Sequence, residues 1–127
     1  MPFREFERQH HTRGRGRLAE ADGVAWLERQ GYQILERNVQ FKAGEIDVVA
    51  RDEEMLCFVE IKARASADFG QAVHAVTRRK QRQIATAAAL FLASNPYDGP
   101  CRFDVLGMDG GPEGWRFTLL KDAFQLD

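Results

Sequence analysis

The sequence contains no apolar run approaching the roughly 18 residues that cross a bilayer, and no membrane partner is expected. Its opening stretch, MPFREFERQHH, lacks the apolar core of a secretory signal, so the expected location is cytoplasmic. Cysteine is scarce. Cys57 and Cys101 form no CxxC pair and have no histidine near them in sequence, which argues against a structural zinc site and a disulfide framework. Cys57 falls inside a strand pattern and reads as a small buried hydrophobe. Excess charge of one sign is also missing: the formal net charge is −1, so the whole-chain balance does not favour a polyanionic partner. There are no internal repeats and no linker.

What is present is an ordinary globular composition, 44% hydrophobic and 29% charged over 127 residues, enough for one domain with a sizeable core. The charge is segregated. Residues 1–17 carry five arginines against Glu5 and Glu7, and Arg78, Arg79, Lys80 and Arg82 form a basic group with no acid from 71 to 92. Residues 95–127 carry six acids against three bases. Local patches of this kind steer charged ligands even where the total is near zero.

In chain order, residues 1–16 read as a flexible arginine-rich tail, with the domain spanning 17–127. A helix over about Arg17–Gln30 ends at Gly31, a candidate left-handed cap. Glu20 lies four residues before Val24 and seven before Leu27, so it shares their inward stripe. An acid near a helix start is favoured by the macrodipole, but that does not account for its facing inward. Gly23 indicates either close packing or plain sequence drift. Tyr32–Phe41 reads as a strand and Lys42-Ala43-Gly44 as a turn. Ala63–Gly70 is a polar loop, and a second helix runs from a Thr77 cap to about Ser94, burying Ile84, Ala87, Ala88 and Phe91. Lys80, one turn before Ile84, points along the core edge, whereas Arg78, Arg79 and Arg82 project elsewhere. Strands at Cys101–Met108 and Trp115–Leu120 complete an α/β domain of order α-β-β-β-α-β-β, a mixed sheet flanked by helices.

The chemistry concentrates in Gly44–Arg64, GEIDVVARDEEMLCFVEIKAR. Alternation from Met55 places Leu56, Phe58, Glu60 and Lys62 on one face, two charges after two apolar residues. A turn centred between Glu53 and Glu54 pairs Asp52 with Met55 and, by the same count, Asp47 with Glu60. Directly opposed residues have Cβ atoms about 4.5–5.5 Å apart. Two carboxylates at that separation repel unless one is protonated or a cation lies between them. Oxygen ligands beside a lysine suit a hard cation such as Mg²⁺. The plainer reading is a solvated face on which Asp47 and Lys62 form a surface ion pair.

These residues, Asp47 followed after twelve positions by Glu60-Ile61-Lys62, resemble the signature of the PD-(D/E)xK nuclease superfamily, with its restriction-endonuclease-like fold. The ordered set Glu20, Gly31-Tyr32, Asn38, Gly44-Glu45-Ile46-Asp47, Phe58 to Lys62, Arg64, Phe69-Gly70, Lys80 and Arg102-Phe103-Asp104 is similar to the YraN-like bacterial family, relatives of archaeal Holliday junction resolvases. Departures include Ile46 in place of the superfamily's proline, Ala19, Gly23, Ile61 and Ala63, and a hairpin turn without glycine. None falls on a side chain expected to bind a metal.

The resemblance implies a metal-dependent endonuclease that acts on DNA, with branched DNA favoured and recombination or repair as the setting. Asp47 and Glu60, the backbone carbonyl of Ile61 and, directly or through water, Glu20 would hold Mg²⁺ or Mn²⁺. Lys62 would orient water or stabilise developing charge. Lys80 and Arg64, with the arginines at 78, 79 and 82, would engage phosphate, and a homodimer is a further expectation. Two other readings remain open: a nucleic-acid-binding module of nuclease fold without catalysis, and an interaction protein whose acids are surface features.

Overall fold

The computed structural model describes residues 10–65 and 70–125, with side chains of the first helix described from Ala19 onward. Elements follow the expected order: α1 (His10–Arg29), β1 (Gln33–Phe41), β2 (Gly44–Asp52), β3 (Met55–Arg64), a single 3₁₀ turn (Ala72–His74), α2 (Arg78–Ser94), β4 (Cys101–Asp109) and β5 (Arg116–Phe124). The five strands form one sheet in the order β1-β2-β3-β4-β5. β3 and β4 run parallel, and the other three pairings are antiparallel. Two adjacent parallel strands need a crossover, which α2 supplies. The mixed sheet with a helix on each face is the arrangement expected of a restriction-endonuclease-like fold.

The helix ends follow from local chemistry. Gly31 adopts φ +99°, its N–H bonds to the Glu28 carbonyl, and the Tyr32 N–H bonds to the Leu27 carbonyl. That is a Schellman cap, which needs a residue tolerant of positive φ. At the start of α2, the Thr77 hydroxyl accepts from the Lys80 N–H at 3.1 Å. The buried stripe of α2 is Ile84, Ala87, Ala88 and Phe91, as helical spacing predicts. The turn after β2 pairs Asp52 with Met55, and Glu53 takes φ 56° where a glycine would be unstrained.

Some boundaries differ. α1 begins at His10, seven residues before the expected start, so 10–16 are helical. The rest of the expected tail, 1–9, lies outside the described residues. Ala63 and Arg64 belong to β3 and not to the following loop, because their pairing with Met108 and Asp109 carries the parallel ladder two residues further. Residues 66–69, including Phe69, lie outside the described residues. β5 continues to Phe124.

Each sheet face has its own core. Val24 and Leu27 of α1 pack with Val48, Ala50, Cys57, Val59, Leu106 and Met108. Ala87, Ala88 and Phe91 of α2 pack with Ile46, Val49, Leu56 and Phe58 on the other side. Gly23 is explained by close packing: a Cβ there would lie 3.2 Å from Ile61, Leu106 and Met108 side-chain atoms, so α1 rests directly on the sheet. At the hairpin end, Arg102 bonds Asp52 and Asp104 at 2.8 Å each, Tyr32 donates to Asp104 at 2.8 Å, and Lys121 reaches Asp52 at 3.0 Å. Asp104 is fully buried, yet both carboxylate oxygens have donors, which is how an interior acid is tolerated.

Candidate metal centre

The opposite end of β3 is built differently. The β2–β3 ladder begins at Asp52 and Met55 and makes its last paired contact at Val48 and Val59. β3 continues to Arg64 on β4 alone, so β2 and β3 part at Asp47. Side-chain alternation breaks there too, since Ile46 packs on the α2 side although Val48 and Ala50 pack on the α1 side. On the other flank, the β1–β2 register counts Asn38 opposite Asp47 but skips that pair, and Asn38 adopts φ 56°. Asparagine is among the few residues that take this conformation readily.

At the fork, an Asp47 carboxylate oxygen accepts the Ile61 N–H at 2.8 Å, replacing a ladder bond and holding Asp47 against β3. The Asp47 charge raises the proton affinity of Glu60, so the two carboxyls lie close to one another at the fork, beyond the last pair of the ladder at Val48 and Val59. Glu60 is 6% exposed. Burial, then the Asp47 charge, push its pKa up to about 9, opposed by Lys80. Burial likewise raises Asp47, opposed by the Ile61 N–H. Two acids this close cannot both ionise without a cation, and they titrate as a pair.

Glu20 approaches from α1. Burial first, then the Asp47 charge, raise its pKa to about 7, while Asn38 and Arg37, the latter 3.8 Å away, act to lower it. One oxygen each of Glu20 and Glu60 is buried without a hydrogen-bond partner among the described residues. Buried polar atoms are nearly always satisfied, so these two oxygens are exceptions that call for a physical account. Among the described residues, no three His, Cys, Asp or Glu side chains are already gathered round one point. The donors present are oxygens only, which suits Mg²⁺ or Mn²⁺.

The basic residues divide. Lys80 reaches Glu60, with Nζ 3.9 Å from Oε2. Lys62 is half-buried on the same strand and makes no ion pair among the described residues, so the alternative Asp47–Lys62 surface pair does not form. Arg64, Arg78, Arg79 and Arg82 are exposed, and the structure does not bring them to the carboxylates. Two participants were given no role in the sequence reading. Glu45 acts electrostatically on Glu20, Asp47 and Glu60 alike, and its place two residues before Asp47 on one strand was the available signal. Asn38 was identifiable only through the β1–β2 register, which no turn motif announces.

The model of the uncharacterised protein family UPF0102 matches residues 19–108, the stretch from Glu20's turn of α1 to the end of β4. A UPF0102 protein of Chlorobium chlorochromatii is 48% identical over 118 residues, covering 88% of this chain and 92% of its own. One of Syntrophus aciditrophicus is 42% identical (87% and 88% covered), and one of Dechloromonas aromatica is 41% identical (91% and 92% covered). With these matches spanning the fork, Lys80 and the Arg102 clasp together, the chain belongs to the uncharacterised protein family UPF0102, the YraN-like group.

Proposed function

We propose that this protein is a divalent-metal-dependent endonuclease of the PD-(D/E)xK type that hydrolyses phosphodiester bonds of DNA, with branched DNA the favoured substrate. The observation that carries the reading is the meeting of Asp47 and Glu60 where β2 and β3 part, with a buried, unpartnered Glu60 oxygen and Lys80 at 3.9 Å. Asp47, Glu60 and the Ile61 carbonyl would hold Mg²⁺ or Mn²⁺, and Glu20 would complete the set directly or through a water. When bound, the cation would polarise the phosphodiester and acidify its water.

The chain's own groups account for the rest. Asp47 is pinned by the Ile61 N–H, so its free oxygen is oriented in advance. Burial and the Asp47 charge hold the Glu60 proton, and a cation held there would favour the deprotonated carboxylate. Lys62 keeps its ammonium free to meet charge developing on phosphate. Lys80, tethered to Glu60, would hold a phosphate oxygen at the same edge. The exposed arginines 64, 78, 79 and 82 would collect the DNA backbone, and a homodimer is part of the same proposal.

A second reading, a binding module of this fold without catalysis, draws on the lack of three preassembled acids among the described residues. One experiment separates them. Purified protein is incubated with four-way junction, flap and linear DNA in Mg²⁺ or Mn²⁺, beside Asp47→Ala. Metal-dependent cleavage lost in the variant is the expected result. Binding without cleavage in both proteins favours the module, and cleavage that survives Asp47→Ala refutes the site.

A further inference from the structure

Beside the acids lies a groove of about 280 Å³ that the metal reading leaves unused. Its walls are the β1–β2 turn, with Gln40 and Lys42, and the first turns of α2, with Lys80 and Gln83. Glu45 closes the end nearest Asp47. Lys80 belongs to both places, since it lines the groove and reaches Glu60 at 3.9 Å. Lys80 therefore joins the groove to the acid fork.

The groove is preformed. A Cβ on Gly44 would lie 2.6 Å from the Gln83 carbonyl oxygen, so the turn rests backbone to backbone on α2. Only glycine allows that approach, and it fixes the groove's width without relying on flexible side chains. The side chains that line it are uncommitted: Lys42, Gln40 and Gln83 make no hydrogen bond or ion pair among the described residues. Lysine and two amides offer ammonium and N–H donors and no fixed negative charge, the chemistry of a phosphate-lined ligand. At the inner end, Glu45 would repel phosphate unless a cation sat at the fork.

We infer that this groove is a backbone subsite, in which Lys42, with Gln40 and Gln83, binds the DNA strand to one side of the bond to be cut. The inference rests on the nuclease reading and adds a direction to it. Along β2, Gly44 and Asp47 are three residues apart, about 10 Å. That is about three nucleotides of rise at 3.4 Å each. The strand would enter over the Lys42 turn, pass Lys80 and reach the fork. Arg79 stands one helical turn before Gln83 and extends the same track outward.

The test is fluorescence anisotropy of the full chain with labelled single-stranded DNA of about 12 nucleotides, within the usual range of site sizes. EDTA excludes cleavage, and the salt concentration is varied. Lys42→Glu should weaken binding about tenfold, and Lys42→Ala should lower the salt slope by about 0.7, one single-strand phosphate contact. Lys42→Arg should restore both. Lys42 is exposed, so all three variants should melt like the parent. Unchanged affinity and slope in Lys42→Ala and Lys42→Glu, with junction DNA still cleaved in Mg²⁺, overturn the groove and spare the nuclease. Parent protein that neither binds this strand nor cleaves any DNA overturns both.

Discussion

Metal-free protein should lose stability as pH rises through neutrality, and Glu60→Gln should remove much of that loss. The ordinary carboxyl value of 4.5 applies to the unfolded chain, whereas folded Glu60 sits at about 9. Between those values the folded protein holds a proton that the unfolded chain has released. Stability therefore falls as pH climbs across that window, and it is unaffected by this group below about 4.5. Glu20 adds its own decline between 4.5 and about 7. At about 1.4 kcal/mol per pK unit, the Glu20 shift corresponds to about 3 kcal/mol as an upper bound. Glu60 shares its proton with Asp47, so its larger shift belongs to the pair.

We take about 2–3 kcal/mol as the part that a neutral isostere at position 60 recovers between pH 5.5 and 8.5, well below the full Born cost of a buried carboxylate. For 127 residues, an unfolding entropy of about 2.1 cal/mol/K per residue makes 1 kcal/mol worth about 4 °C. Thermal melts in EDTA should then show Glu60→Gln about 8–12 °C above the parent at pH 8.5, and nearly level with it at pH 5.5. Mg²⁺ at pH 8.5 should raise the parent's Tm and leave the variant nearly unmoved, since a cation stabilises the state it binds. A parent equally stable at both pH values, or a variant that melts below it at pH 8.5, would refute the argument.

Two further outcomes test the frame around the site. Gly107→Ala would place a Cβ 2.6 Å from the Val73 backbone nitrogen, so the 3₁₀ turn must lift off β4. Overpacking of that kind costs about 1–3 kcal/mol, to be read from urea midpoints at unchanged m. Tyr32→Phe removes the donor to one Asp104 oxygen and an acceptor for Arg102, and should cost about 1–3 kcal/mol in the same assay. A neutral result would mean that water replaces the hydroxyl.

Most of the architecture was legible because it follows from short-range rules. Gly31 marked a helix end through its tolerance of positive φ, and Thr77 marked a start through its hydroxyl. The hairpin count paired Asp52 with Met55 although the turn lacks glycine, because register depends on loop length more than on turn residues. Legibility failed where the cause was long-range. Which lysine reaches Glu60 depends on how α2 crosses the sheet: strand alternation placed only Lys62 on the Glu60 face, whereas it is Lys80 of α2 that lies 3.9 Å from it. The role of Asn38 depends on β1 lying beside β2, information absent from either strand's own pattern. The extra residues of β3, Ala63 and Arg64, depend on their partners Met108 and Asp109 in β4, far along the chain.

The two ends of the β2–β3 hairpin show one chain handling buried acids in opposite ways. At the turn end Arg102, Tyr32, Lys121 and the Asp122 N–H supply donors to Asp52 and Asp104, and the fully buried Asp104 has a partner for each oxygen. At the fork Glu20, Glu45, Asp47 and Glu60 lie near one another, Lys80 and Arg37 stand at the outer limit of ion-pair distance, and one oxygen each of Glu20 and Glu60 has no hydrogen-bond partner among the described residues. The fold therefore satisfies interior carboxylates where they serve structure. A cluster left with raised proton affinity and open oxygens destabilises the molecule, by the linkage argument above, unless a ligand restores the balance. A proton on Glu60 restores that balance at the cost in stability worked out above, and on the proposed metal reading a divalent cation would restore it in the proton's place.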